Sequence, residues 1–355
     1  KALACFNEAL AIQRSIGDTR GEAVTLNCLA TLNDSLGEKQ KALESYKQAL
    51  AIHQRLGDRR MEAGTLAAIG SVYHSIGEYP QALEFYNNAI SEQRAVGDRP
   101  GEAVTLGNIG LLYDSIGEKQ KALDCFDQAL SLLRELGYRR VEAANLHNKG
   151  ALYESLGEKQ KALSTYNDAV AIMRSLGDRR SEGNALINIG ALYDSMGRQL
   201  QALKTYGEAL VILRKVGDRQ AEAHALVNIG LVYKSLGDNR KALRYYNQAL
   251  PIWRAVGDPR GEAVTLSSLG TVYERLGQKQ RALGFCTRAL GLIKDRGERE
   301  QEVRVRRDLA KIQEDQSKFS EAIENYQAVI KIIEKIHGSV TIQDLRSSYL
   351  ASVQE

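Results

Sequence analysis

The chain is poor in cysteine, in aromatic residues, in long apolar runs and in charge of one sign, and each shortage excludes something. Four cysteines occur in 355 residues, at Cys5, Cys28, Cys125 and Cys286. None sits in a CxxC pair or a Cys/His cluster, so no metal site is expected. They read as small buried hydrophobes of a protein kept in a reducing compartment, which makes a cytoplasmic location the expectation. No run of about 18 apolar residues exists, so no segment is expected to cross a membrane. Residues 1–16 are amphipathic, with Glu8 and Arg14 inside them, and do not resemble a signal peptide. Basic and acidic residues number 48 and 44, leaving a formal charge of +4. So small an excess argues against a nucleic-acid partner. No Ser/His/Asp order, HExxH, P-loop or paired-carboxylate motif stands out, so neither an enzyme nor a cofactor is expected.

Glycine, by contrast, is plentiful and periodic. It recurs every 40 residues from Gly17 to Gly297 and again from Gly37 to Gly277. Such a period marks stacked repeats, each burying its apolar face against its neighbours. Residues 101–137 show the unit. Leu106, Ile109, Tyr113 and Ile116 fall on one helical face, and Ala122, Leu123, Phe126, Ala129, Leu130 and Leu133 form a second stripe. Gly117 and Gly137 suit the left-handed residue that ends a helix. A third column, Gly70 to Gly270, lies inside the first helix of each hairpin, where a glycine costs up to about 1 kcal/mol against alanine. Its recurrence predicts close helix contact, with large side chains packed into small ones. The expected fold is an all-α solenoid of antiparallel helix hairpins.

The expected organisation is a lone second helix over 1–16, seven full hairpins over 17–297, and a degenerate terminal hairpin over 298–337. In the last hairpin Arg306 replaces Leu, Gln313 replaces Tyr, and Ser317 replaces the turn glycine. Residues 338–355 read as a further helix or connector.

The order Leu66, Ile69, Gly70, Tyr73, then Ala82, Tyr86 and Ala89 resembles the tetratricopeptide repeat. Six added residues of the form Gly-Asp-Arg-Arg-x-Glu make it similar to the repeats of kinesin light chains and Pins/LGN adaptors. The resemblance covers about residues 1–337 and implies a right-handed superhelix with a concave groove. The segment from Asp344 to Gln354 resembles the connector of bacterial tetratricopeptide–CHAT proteins. That resemblance implies that the repeats are the regulatory arm of a caspase-like protease or signalling protein.

One first-helix column carries Asn108, Asn148, Asn188 and Asn228, which the helical repeat turns away from the apolar stripe and toward the groove. Seven residues on, Ser115, Ser155, Ser195 and Ser235 share that face. An Asn amide both donates and accepts, so it matches a peptide backbone. Helices about 8–10 Å apart would space such amides at every third residue of an extended peptide. Kinesin light chains and Pins-like adaptors use Asn in the matching column this way, and the resemblance extends that role to these four. The alternative is that the amides are solvated filler. The floor reads Val104, Leu111, Ala151, Ala191 and Leu231, able to take apolar anchors. A rim of Asp34, His74, Asp114, Glu154, Asp194, Lys234 and Glu274 hints at a ligand with some positive charge.

The Asp-Arg-Arg turns, with Arg304, Arg306, Arg307 and Lys311, read as a basic edge of turn chemistry and solubility. His147 and His224 both face the groove but lie in different columns, and make no ligand pair. The expected partner is a protein or peptide, without nucleic acid or membrane. Self-association through the exposed helix at 1–16 is a rival reading.

Overall fold

The computed structural model describes residues 2–294 and 297–337. Among them it contains seventeen helices and no strand. The chain divides into two compact units, residues 1–177 and 178–355. The CHAT-like segment and the last predicted helix lie outside the described residues.

The first unit comprises α1 (Ala2–Ile16), α2 (Thr19–Ser35), α3 (Lys39–Leu56), α4 (Arg59–Ser75), α5 (Tyr79–Ala95), α6 (Arg99–Ser115), α7 (Lys119–Leu136), α8 (Arg139–Ser155) and α9 (Lys159–Ser175). The helix pairs α2–α3, α4–α5, α6–α7 and α8–α9 pack most extensively, and each second helix also touches the next first helix. Helix α1 packs on α2 through Leu10 but has no buried residue, leaving Leu3, Ile12 and Ile16 exposed.

The second unit comprises α10 (Arg179–Ser195), α11 (Gln199–Val216), α12 (Arg219–Ser235), α13 (Asn239–Val256), α14 (Pro259–Arg275), α15 (Lys279–Ile293), α16 (Arg299–Glu314) and α17 (Phe319–His337). It is built as four successive hairpins.

Helix ends are set by two local devices. Asp18, Asp58, Asp98, Asp178, Asp218 and Asp258 cap the first helices. Each carboxylate accepts the backbone N–H three residues on, at 2.9 Å in the case of Asp18 and Gly21. Tyr138 occupies that place before α8 and makes no such bond. At the other end glycine takes the left-handed conformation. Gly57 has φ of 65°, and the Asp58 N–H returns to the His53 carbonyl at 3.0 Å, closing the helix end. Ser317, where glycine is missing, still adopts φ of 60°.

The core is large packed into small. In the first unit the rings of Tyr86, Phe126 and Tyr166 lie over Gly70, Gly110 and Gly150; in the second, Tyr206 and Tyr246 lie over Gly190 and Gly230. The paired alanines, Ala82 to Ala282, are fully buried. In the last hairpin the pattern turns polar yet stays satisfied. Arg306 bonds Glu302 at 2.7 Å and Asn325 at 3.1 Å, and Asn325 donates to Gln313 at 3.0 Å. Arg306 therefore belongs to a buried network, not to the basic edge expected of it.

Candidate functional site

The first helices carry the candidate site, and in each unit they touch one another: α4, α6 and α8 in the first, α10, α12, α14 and α16 in the second. Side chains about 40 residues apart meet across this face. His74 Nε2 lies 2.9 Å from Ser115 Oγ, and Arg275 Nη1 donates to the Lys234 carbonyl at 2.8 Å.

Asn108 and Asn148 stand on this face in the first unit, Asn188 and Asn228 in the second, and all four are half-buried. The amides of Asn108, Asn148 and Asn228 have no side-chain hydrogen bond among the described residues, whereas Asn188 already has a partner. The face ends in serines that are exposed but occupied. Ser115 donates to the Leu111 carbonyl at 2.9 Å, and Ser155, Ser195 and Ser235 donate to carbonyls three residues back at 2.8 Å. Their protons are used in finishing the helix, Ser115 is also met by His74 and Ser195 has a further partner, so the oxygen lone pairs of Ser155 and Ser235 remain to meet a ligand. Leu111 and Leu231 are half-buried, and Val104 is exposed in the same face.

The acidic rim is less available than its composition suggests. Asp34 pairs with Lys39 at 2.7 Å, Asp114 with Lys119, and Glu154 accepts from Tyr166 Oη at 3.1 Å. Burial raises the pKa of Asp194 above the ordinary carboxylate value, and burial with the nearby Asp315 does the same to Glu274.

The basic edge is corrected along the Asp-Arg-Arg turns, where several arginines pair between repeats. Arg20 reaches Asp58 at 2.8 Å and Arg180 reaches Asp218 at 2.9 Å, each crossing to the next capping aspartate. Glu142 and Glu222 are buried, each held by two arginines: Arg134 and Arg139, Arg214 and Arg219. The spacing of eight between Arg and Glu, repeated at 14/22, 94/102, 134/142, 214/222 and 254/262, was visible in the sequence and carried that signal.

The histidines also shift. His147 packs its ring against Tyr166 at 5.2 Å, and His224 sets an edge against Trp253 at 4.7 Å. Burial lowers the pKa of both, so both are neutral near pH 7. Of the cysteines, only Cys286 is buried as expected. Cys125 is half-buried, while Cys5 and Cys28 are exposed, the first on the unpaired α1 and the second in the groove-facing column. No group of three His, Cys, Asp or Glu side chains able to hold a metal occurs among the described residues.

Repeated hairpins of two helices, closed by glycine and packed ring into glycine, define a helical-repeat solenoid. The matching family model is the tetratricopeptide repeat, over residues 1–55, 62–135, 140–215, 221–295 and 261–335. The chain belongs to the tetratricopeptide-repeat family. Its backbone is similar to aspartyl phosphate phosphatase F from Bacillus subtilis, with a TM-score of 0.65, 16% identity, and 96% and 94% of the two chains covered. It also resembles a signal-transduction ATPase with a tetratricopeptide sensor from Pyrococcus horikoshii, at a TM-score of 0.66 and 14% identity, covering 97% of this chain and 54% of the other. The apo quorum sensor NprR from B. thuringiensis matches at a TM-score of 0.50 and 18% identity, with 85% and 99% covered. Among curated proteins, none matches this sequence.

Proposed function

We propose that the chain is an interaction scaffold whose first-helix face holds an extended peptide or partner segment by its backbone. The observation that carries this is the pair of unengaged, half-buried amides of Asn108 and Asn148, placed on the first helices of successive hairpins in the first unit. An amide left half in water keeps its donor and acceptor for a ligand without the penalty of full burial. Family membership favours the same reading, as does likeness to a protein described as a quorum sensor. In the first unit Leu111 would take an apolar side chain and the Ser155 oxygen would accept from a peptide N–H; Leu231 and Ser235 offer the same chemistry in the second.

The test is the double variant Asn108→Ala, Asn148→Ala against peptides selected from a random nonamer library. Loss of about 10- to 100-fold in affinity at unchanged Tm is expected, from two amides each making about two hydrogen bonds. Unchanged affinity overturns the proposal.

A second reading makes the repeats the sensing arm of a larger effector. It is favoured by the CHAT-like connector in the sequence and by likeness to about half of a longer ATPase described as having a tetratricopeptide repeat sensor. Reading the gene beyond Glu355 tests it: an effector domain in frame supports the arm, and a stop codon overturns it.

A further inference from the structure

The first-helix face of the second unit changes its chemistry at α16. Where α10 and α12 carry Asn188 and Asn228, α16 carries Asp308; where they carry Ala191 and Leu231, it carries Lys311. Arg304 stands in the column of Asn184, His224 and Val264. Asp308 is already committed, accepting from Ser267 Oγ at 2.5 Å. Arg304, Arg307 and Lys311, spaced three and four apart on one side of the helix, are exposed. None makes an ion pair or donates a side-chain hydrogen bond among the described residues. With Asp308 and Tyr326 they line a cavity of about 400 Å³. The cluster's field is felt at its neighbour: burial lowers the pKa of Lys234, and Arg275 and Arg304 push it the same way against Asp308.

Arg304 also forms a wall of a second cavity, about 540 Å³, shared with His224, Val227, Trp253 and Val264. Trp253 is 1% exposed and its indole N–H has no acceptor. The other charges there are mostly spent: Asp258 accepts from the Gly261 N–H at 2.9 Å, and Arg260 lies 3.6 Å from Glu298. Glu300, which remains, directs an anion away from itself and toward Arg307 and Lys311.

We propose that the α16 end of this face anchors a bound peptide by an acidic residue. Its carboxylate enters the Arg304–Arg307–Lys311 cavity, where guanidinium forks supply charge-assisted hydrogen bonds. The adjoining apolar residue lies over Val227 and Val264 beside Trp253. This rests on the peptide-binding reading of the same face, and gives the peptide a chemistry and a direction, acidic end at α16.

Trp253 is the chain's single tryptophan, so its emission reports occupancy of the cavity. The probes are capped nonameric alanine peptides carrying Glu-Leu, Gln-Leu or Lys-Leu, together with glutarate and inorganic phosphate. The Glu-Leu peptide is expected to give a saturable emission change and to bind at least tenfold tighter than the Gln-Leu peptide. The variant Arg304→Gln, Lys311→Gln should erase that preference and leave affinity for the Gln-Leu peptide unchanged. Equal affinity of the native protein for the Glu-Leu and Gln-Leu peptides overturns the anchor while leaving the peptide face intact. If no peptide binds, the peptide face fails, and glutarate decides the anchor alone. A saturable change lost in the double variant supports the anion site, and no change overturns it. Phosphate binding more tightly than glutarate overturns the carboxylate assignment in favour of a phosphorylated side chain.

Discussion

At the scale of single residues, two glycines in identical secondary structure have opposite meanings. A Cβ on Gly230 of α12 would meet the Tyr246 ring at 2.5 Å, whereas one on Gly207 of α11 meets nothing within 4 Å. Both sit inside helices, where alanine is intrinsically favoured by about 0.5–1 kcal/mol. Gly207→Ala is therefore expected to raise stability by roughly that amount. Gly230→Ala must displace a buried ring and is expected to cost about 1–3 kcal/mol despite its better propensity. Urea unfolding of the two variants checks this, and equal shifts of one sign would contradict the packing account. Spacing alone set the columns apart, since Gly230 belongs to a 40-residue series and Gly207 to none. The Asn column was legible for the same reason. Its engagement was not: that Asn188 is occupied while its three counterparts are open depends on neighbours in space, which one helix's periodicity does not contain.

Between elements, the connection from one hairpin to the next is made by buried carboxylates as much as by apolar contact. Glu222, 3% exposed at the start of α12, takes Arg214 from the end of α11 at 2.8 Å and Arg219 from its own first turn. A buried carboxylate is tolerable only with such partners, and it fixes the angle at which the two helices meet. Glu222→Gln keeps the shape and removes the charge. Because both arginines are half in solvent, the loss is discounted to about 1–3 kcal/mol. Combining it with Arg214→Gln in a double-mutant cycle checks the coupling; strict additivity would show that the pair contributes nothing. Helix ends were easier to read than this contact. Asp18 and Gly57 act on backbone groups a few residues away, so a local motif suffices. The Glu in the same turn is harder to place, because its arginine lies eight residues back across a chain reversal. The edge expected to be basic is for that reason largely a ladder of paired charges.

Across the whole molecule, the fold was legible because each repeat restates the same local rules, so errors in one hairpin are corrected by the next. Departures from the repeat carry the individuality, and they appear once each: Trp253 in a column that otherwise holds Gln13, His53, Gln93, Leu133, Met173, Leu213 and Ile293, or Lys311 where Leu231 would be. One bulk property sums over such departures. Burial lowers the pKa of His53, His74, His147 and His224, the four histidines whose surroundings the structure describes. Below the unfolded value of about 6.5 the unfolded chain therefore binds more of these protons than the folded one, and stability rises with pH through that range. Read downward, acidification from pH 7.5 to 5.5 should lower Tm. Asp58, held down by the Arg20 guanidinium, and Glu135, held down by Arg99, lose their contributions only as pH falls below the ordinary carboxylate range. Asp194 and Glu274, raised by burial, act with the opposite sign and soften the slope as pH falls toward the carboxylate range. Thermal melts across this interval separate the causes, since His147→Asn and His224→Gln should flatten the curve while Glu135→Gln leaves its upper limb unchanged. A Tm that holds steady or climbs from pH 7.5 to 5.5 would mean that the imidazoles accept protons in the folded chain as readily as in water.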